Sequence, residues 1–314
     1  MKRKVLIGII LALSLVGCGN FGEDDNRGET VIVSKDNDSD EKDEDVDAAD
    51  KKEDKAEPSD EKESDDSIQA ELASVEEEYQ KLYDNTDSGS MSQCEMNEAA
   101  FNLYDVWDKE LNSLWERLTE ELDESEKKEL VAEQKAWIAQ KEANSTAAGM
   151  SWSGGSGQPC ITLGEEEDMT HKRCYELAER LAEVRGEDFE IPSKVEKKIE
   201  EENPTLDEVF EKFEGQWCFD TDRGAVIGID RTANDPDMAP EGSTWYVWET
   251  GGDIISDLDV YGYSDSDIIF KRYNEFLEKD SYYWMSYCGD RVEFKYAHSL
   301  EELADWNVET TVGY

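Results

Sequence analysis

Histidine and basic side chains are scarce in this chain. Only two histidines occur among its 314 residues, which leaves too few for a metal site built from several imidazoles or for acid and base chemistry that depends on histidine. Lysine and arginine number 32 against 80 acidic residues, and the formal net charge at pH 7 is -48. Because neutralisation of phosphates by basic side chains supplies most nonspecific nucleic-acid affinity, this balance excludes a nucleic-acid partner of that kind.

Long apolar runs are absent apart from one near the N-terminus. Residues 5–16 are largely apolar and follow three basic residues, but the run is shorter than the roughly 20 residues that span a bilayer as a helix. This is the pattern of a secretion signal. Leu15, Gly17 and Cys18 then resemble a bacterial lipobox, which predicts cleavage before Cys18, acylation of its thiol and anchoring of the protein to a membrane of the cell envelope. The alternative is a plain secretion signal with an incidental cysteine.

Residues 19–66 are poor in apolar side chains and rich in Asp, Glu, Lys and Ser. Between residues 23 and 66 the only apolar run is 31–33, so the segment buries too little surface to offset the entropy of ordering. We expect a disordered acidic linker. The aspartate-rich stretch 36–50 lacks the fixed ligand spacing and central glycine of an EF-hand loop, and no metal site is predicted there.

The segment 67–190 shows the periodicity of amphipathic helices. Its apolar residues recur at spacings of three and four, which place them on one face of each helix. Ser67 is placed to cap the first helix, and Asp123 with Glu126 forms a capping box for the third. An antiparallel helical bundle with three tryptophans in its core is expected. The stripes cover residues 68–82, 103–122 and 130–138 and resume near 168 after a glycine-rich loop at 151–159, and the tryptophans are Trp107, Trp115 and Trp137.

Residues 205–314 change to the period of β-strands. Short runs rich in aromatic and β-branched residues alternate with turns that contain Gly, Asp, Asn and Pro. They predict a separate, small antiparallel β-barrel or sandwich, so the fold class is α+β. The charged segment 191–204 is expected to be a linker helix, and Thr205 with Glu208 caps a short helix before the first strand. The runs are 217–219, 225–230, 244–249, 259–263, 267–273, 282–287 and 292–297.

Three tryptophans of the strand-rich segment are candidates for a ligand-binding face. Trp245, Trp248 and Trp284 lie in aromatic runs, and aromatic rings stack well on sugars and lipids. A cell-wall glycan or a lipid would be the ligand. The alternative is packing in the core, because strands alternate inward and outward side chains.

Several short motifs occur in order along the helical segment. They are 96–97 (Met-Asn), 108–112, 134–138 and 154–156, followed by Thr170, Arg173 and Leu177. In order and spacing they resemble the motifs of the lysozyme inhibitor LprI-like family over about residues 91–182. The resemblance implies a small helical, cysteine-containing domain that is secreted or lipid-anchored and binds a protein.

Five of the six cysteines lie beyond the lipid-anchor position, and cysteines of exported proteins favour disulfides. Cys218 and Cys288 are the pair available in the strand-rich segment, and a bridge between them would close a long loop. One of Cys94, Cys160 and Cys174 is left over. The family resemblance implies the pair Cys94 and Cys174, as a staple between helices.

The sequence predicts a binding protein and not an enzyme. Neither histidine stands in a recognisable catalytic context, carboxylate pairs are expected by chance among so many acidic residues, and no cofactor is predicted. The resemblance implies inhibition of a basic lysozyme by occlusion of its cleft. The accessible loop 151–159 is the expected contact, with Gly154, Gly155 and Ser156 as partner-binding residues, and the acidic body would steer a basic partner towards it. The alternative is an envelope binding module that recognises a glycan or a lipid without inhibition.

Overall fold

The computed structural model describes residues 67–86, 89–219, 226–232, 244–250, 255–275, 277–305, 307–308 and 310–313. These residues belong to one compact unit of the chain. Helices come first and antiparallel strands follow, which confirms the predicted α+β class. The predicted lipid anchor Cys18 and the acidic linker at 19–66 lie outside the described residues.

Four long helices make up the first part of the structure. The Ser67 hydroxyl caps the first of them, and Asp123 with Glu126 forms the predicted capping box at the third. Two short helices precede the strands, and a third lies between the last two strands. The helices are α1 (Ile68–Asp84), α2 (Gln93–Glu121), α3 (Glu124–Met150), α4 (Gln158–Arg185), α5 (Ser193–Glu202), α6 (Leu206–Phe213) and α7 (Leu300–Leu303).

The core of the helical part lies where α4 packs against α2. Trp107 and Leu114 of α2 are completely buried, as is Leu181 of α4. Burying a large apolar side chain contributes about 1.5–3 kcal/mol, so this layer provides much of the stability. The core assignment of Trp107 is confirmed, whereas Trp115 and Trp137 are only partly buried against the same cluster.

The helix α4 begins earlier than its apolar stripe indicated. The stripe predicted a start near residue 168, but α4 begins at Gln158, and Pro159 lies in its first turn. Proline is favoured there because its fixed φ suits a helix. The N–H that it lacks would have no hydrogen-bond partner in the first turn of the helix. The first two and a half turns are poor in apolar residues, which is why the stripe did not mark them.

The strands form two antiparallel sheets. One has the order β1-β2-β3-β4 and the other the order β5-β6-β7-β8-β9, and among the described residues neither closes on itself. Of the two predicted alternatives the barrel is therefore not formed, and the sheets face each other as in a sandwich. The strands are β1 (Gly215–Cys218), β2 (Val226–Arg231), β3 (Trp245–Thr250), β4 (Ile255–Asp257), β5 (Asp259–Tyr263), β6 (Asp267–Asn274), β7 (Lys279–Tyr287), β8 (Val292–Ala297) and β9 (Thr311–Gly313).

Different elements pack on the two faces of the five-stranded sheet. Ile268 and Phe270 of β6 pack with α6 and with the four-stranded sheet. Ile269, between them in sequence, packs on the other face against Ala147 and Met150 of α3. All three β6 residues are completely buried, because successive side chains of a strand point to opposite faces and both faces are covered.

The C-terminal half of α3 approaches β5 closely. At Gly262 a Cβ atom would lie 2.2 Å from the carbonyl oxygen of Ala143, so only glycine fits without a shift. One residue further on, the N–H of Tyr263 donates to Oδ1 of Asn144 at 3.1 Å. The helix therefore contributes to the bundle with its first half and to the sheet with its second. The predicted domain boundaries near residues 190 and 204 stay predictions.

Candidate functional site

The turn between α3 and α4 is the predicted contact loop. Most side chains of residues 151–157 are exposed. Gly154 has a φ of 74°, which residues with a Cβ rarely adopt, and the N–H of Gly155 donates to the carbonyl of Trp152 at 2.9 Å. The turn thus has a defined shape, on which the three predicted partner-binding residues, Ser156 included, are exposed.

Hydrogen bonds at both of its ends attach this turn to its surroundings. At one end, Nδ2 of Asn97 in α2 donates to the carbonyl of Ser156 at 3.0 Å. At the other end, the hydroxyl of Ser151 donates to Oδ1 of Asp267 in β6 at 2.8 Å. The turn is held between α2 and the five-stranded sheet, and Asn97 of the Met-Asn motif positions it.

Two large aromatic side chains flank the attachment to α2. Trp152 is 53% exposed and Phe101 is 52% exposed. Phe101 lies one helical turn beyond Asn97 on α2, and the Trp152 ring lies against Gly157, where a Cβ would be 3.3 Å from it. We call residues 151–157 together with Asn97 and Phe101 the turn surface. Exposed aromatic rings beside a shaped turn suit a protein interface, because such side chains bury much area at little entropic cost.

Neither of these aromatic residues was predicted from the sequence. Only tryptophans on apolar stripes or in strand runs were candidates, and burial is the usual outcome at such positions. Trp152 instead lies among serines and glycines in a predicted loop. A large aromatic residue in such a loop is expected to be exposed, and this signal would have identified it.

Other motif residues connect α3 to α4. Arg173 is buried, and its Nε donates to Oε1 of Gln134 at 3.0 Å. Its Nη1 donates to Glu133 at 2.7 Å and to Glu176 at 2.8 Å. A buried guanidinium without such partners would be strongly destabilising. The motif residues Gln134 and Arg173 therefore hold the helices together.

The motif at 108–112 remains largely within its own helix. Nδ2 of Asn112 donates to Oδ2 of Asp108 at 3.1 Å, and the Tyr104 hydroxyl donates to Asp108 Oδ1 at 3.1 Å. Lys141 of α3 reaches this group by donating to the Tyr104 oxygen at 3.0 Å. The group is partly exposed and links α2 to α3 through one lysine.

His171 lies buried between two carboxylates from other helices. Its Nε2 is 2.8 Å from Glu76 in α1, and its Nδ1 is 3.9 Å from Glu202 in α5. Burial lowers the pKa of His171, but the two carboxylates raise it by more. Burial likewise raises the pKa of Glu76, but His171 and the Tyr175 hydroxyl lower it by more. This arrangement ties α1 and α5 to α4 and has the partners of a structural histidine.

The predicted disulfides are not formed in the structure. The Cys174 thiol is completely buried and donates to the carbonyl of Trp107 at 3.3 Å. Cys94 is exposed at the start of α2, about 20 Å from Trp107 at 1.5 Å per helical residue, so the structure does not bring Cys94 and Cys174 together. Both pairings stay predictions for the oxidised protein. The described free thiols are Cys94, Cys160, Cys174, Cys218 and Cys288.

The tryptophans of the predicted ligand face are largely in the core. Trp245 is 5% exposed and Trp284 is 2% exposed, and Nε1 of Trp284 donates to Asp267 at 3.0 Å. Trp248 is partly buried, and its Nε1 donates to Asp230 at 2.8 Å. Trp245 of β3 packs on Phe210 of α6, and Trp284 of β7 packs with Ala147 and Met150 of α3. The stacking face stays a prediction.

Metal ligands do not gather in the described part of the chain. There, no group of three or more histidine, cysteine, aspartate or glutamate side chains is arranged to hold a metal ion.

None of the described helices is both long enough and apolar enough to cross a membrane.

Comparison with known proteins finds a similarity in the helical part. Residues 83–177 match the family described as Lysozyme inhibitor LprI. No curated protein and no solved structure matches the chain. The matched range runs from the end of α1 into α4, and it contains the turn surface and the contact between Arg173 and Gln134. Over this range, the helical part of the chain is therefore similar to the LprI lysozyme inhibitor family.

Proposed function

We propose that the chain is a non-catalytic, lipid-anchored protein of the bacterial cell envelope whose helical part binds and inhibits a basic lysozyme. The observation that carries the proposal is the family match over the segment that contains the turn surface. The lipobox-like sequence at Cys18 supports the anchor, and the signal-like residues 5–16 support export.

The turn surface is the proposed inhibitory edge. The turn is exposed, it carries Trp152, and Phe101 lies one helical turn from its anchor Asn97. Its hydrogen bonds to Asn97 and Asp267 keep it preorganised. Preorganisation reduces the entropy lost on binding. The net charge of -48 raises the association rate with a basic enzyme but is screened by salt.

The first test is inhibition of a basic c-type lysozyme on cell walls by the purified full-length protein. Inhibition is measured at low salt and at about 0.15 M salt, where the Debye length is about 8 Å. We expect saturable inhibition at both. Loss of all inhibition at the higher salt would mean that only nonspecific charge attraction acts, and it would contradict the proposal.

Replacement of Trp152 locates the surface. Trp152→Ala is expected to weaken inhibition roughly 30-fold, because a central aromatic contact contributes about 2 kcal/mol or more. The matched control is Tyr273→Ala, which removes an aromatic side chain 58% exposed on β6 and is expected to leave inhibition unchanged. Equal inhibition by Trp152→Ala and the wild type would remove this turn from the mechanism.

A further inference from the structure

A cleft lies between the helices and the five-stranded sheet, apart from the turn surface. Its volume is about 280 Å³, near the lower end of the roughly 300–1,000 Å³ typical of sites for small ligands. Such a space suits one side chain. Its walls are apolar and polar residues of α3, α4, the segment 203–206 and the turn after β5. The residues used below are Trp137, Glu165, Met169, Lys172, Glu176 and Tyr263.

The Glu165 carboxyl has no partner in this cleft. It is partly buried, and no described residue donates a hydrogen bond to it. Burial, followed by the charges of Asp267 and Asp265, raises its pKa to about 7. A carboxyl in such a place is destabilised when ionised, and a cation beside it would relieve that cost.

The other charged groups around the cleft are already paired or exposed. Glu176 binds Arg173 at 2.8 Å, and Asp265 is paired with Lys212. Asp267 accepts hydrogen bonds from serine hydroxyls and from Trp284. Lys172 is exposed at the rim, and no ion pair in the described part of the chain joins it to Glu165. Glu165 is thus the group left to meet a ligand.

We propose that this cleft binds the cationic side chain of an arginine or lysine from a basic partner protein. Glu165 accepts the guanidinium or ammonium group. Met169 and the rings of Trp137 and Tyr263 enclose the apolar stem, an arrangement that suits side chains with a charged end and a hydrocarbon body. The identity of the partner as a lysozyme rests on the proposed function, whereas the cation site does not.

The first experiment measures the site without a partner protein. Acetyl-arginine amide is titrated into the full-length protein and followed by tryptophan fluorescence and NMR chemical shifts, with the uncharged acetyl-citrulline amide as the matched ligand. We expect Glu165→Gln to weaken arginine binding about 10- to 100-fold, as for loss of a charge-assisted hydrogen bond. Citrulline should bind as weakly to the wild type as arginine binds to the variant.

The matched control is Glu179→Gln. Glu179 is an exposed residue of the same helix, and its replacement removes the same charge from the molecule. We expect less than a twofold change in arginine binding. Equal affinities of the wild type and Glu165→Gln for arginine, or equal losses in the two variants, would overturn the proposal. Thermal unfolding of each variant confirms that it is folded.

A second measurement separates this proposal from the proposed function. Glu165→Gln is compared with Glu179→Gln as an inhibitor of lysozyme, and we expect a tenfold or greater difference. If the wild type inhibits and Glu165→Gln inhibits equally well, the cleft does not serve the partner, and this proposal fails while the proposed function stands. If the wild type does not inhibit but binds arginine through Glu165, the proposed function fails while the cation site stands.

Discussion

Arg173 shows how a single motif residue stabilises the structure. It joins α3 to α4 through Gln134 and Glu133 while it is itself 5% exposed. The family resemblance marked this position, but its role could not be read from sequence, since a motif arginine is equally compatible with a partner contact. Only the packing of α4 on α3 distinguishes the two roles.

Replacement of Arg173 tests this structural role. Arg173→Met is expected to lower the free energy of unfolding by about 1–3 kcal/mol, because it leaves the buried oxygen of Gln134 without a donor. Arg180→Met is the matched control. Arg180 pairs with the same Glu133 but from a more exposed position, so its loss should cost less than about 1 kcal/mol. Denaturant titration measures both values, and equal losses would contradict the buried role of Arg173.

Caps were the residue-level features best predicted from sequence. Ser67, the pair Asp123 and Glu126, and the pair Thr205 and Glu208 all act as predicted, because a cap depends on residues within one turn of each other. The burial of Trp284 depends instead on α3, which lies more than 100 residues away in the chain. No local pattern contains that contact.

At the scale of elements, α3 explains the main differences between prediction and structure. Its first half carries the apolar stripe that sequence periodicity detected. Its second half carries small residues such as Ala143 and Ala147, which lie against the sheet. Small residues give a weak periodic signal but allow close approach of backbones, so the contact between α3 and β5 was not predicted.

Two glycines give a matched test of this packing. Gly262→Ala places a Cβ 2.2 Å from the Ala143 carbonyl oxygen, and it is expected to lower the free energy of unfolding by about 1–3 kcal/mol, as overpacking does. Gly164 lies inside α4 with no atom within 4 Å of its added Cβ. Gly164→Ala should therefore raise stability by about 1 kcal/mol through helix propensity. Thermal unfolding compares the two, and a stabilising Gly262→Ala would show that α3 does not approach β5 this closely.

For the whole molecule, acidity determines how stability responds to pH. Burial, followed by the charges of Glu202 and its neighbours, raises the pKa of Asp168 to about 8. Burial, followed by the charge of Glu71, raises that of Glu110 to about 7. Because these pKa values are higher in the folded than in the unfolded protein, the native state holds the two protons more tightly. Their contribution to the free energy of unfolding is therefore complete below about pH 4 and is lost as the pH rises towards 8. The lowered pKa of Glu76 has the opposite effect, because its contribution to the free energy of unfolding is lost as the pH falls into the acid range.

We therefore expect the free energy of unfolding to be larger at pH 5.5 than at pH 8. Denaturant titrations at several pH values measure this slope. Asp168→Asn should raise the free energy of unfolding at pH 8 and flatten its slope against pH. The reason is that the Asp168 carboxyl must ionise near Glu202, Glu167 and Glu165, and only Lys198 offsets their charges. An unchanged slope in this variant would show that Asp168 does not carry the effect.

The sharing of α3 between bundle and sheet also bears on how the protein is made. Synthesis proceeds from the N-terminus, so the second half of α3 emerges long before the strands that cover it. Until β5, β6 and β7 arrive, its strip of small apolar residues has nothing to pack on, and an incomplete chain is prone to aggregation through it. Docking of the last strands is thus the step that completes the helical part. A chain interrupted after α4 would hold the whole family segment and still lack its finished surface.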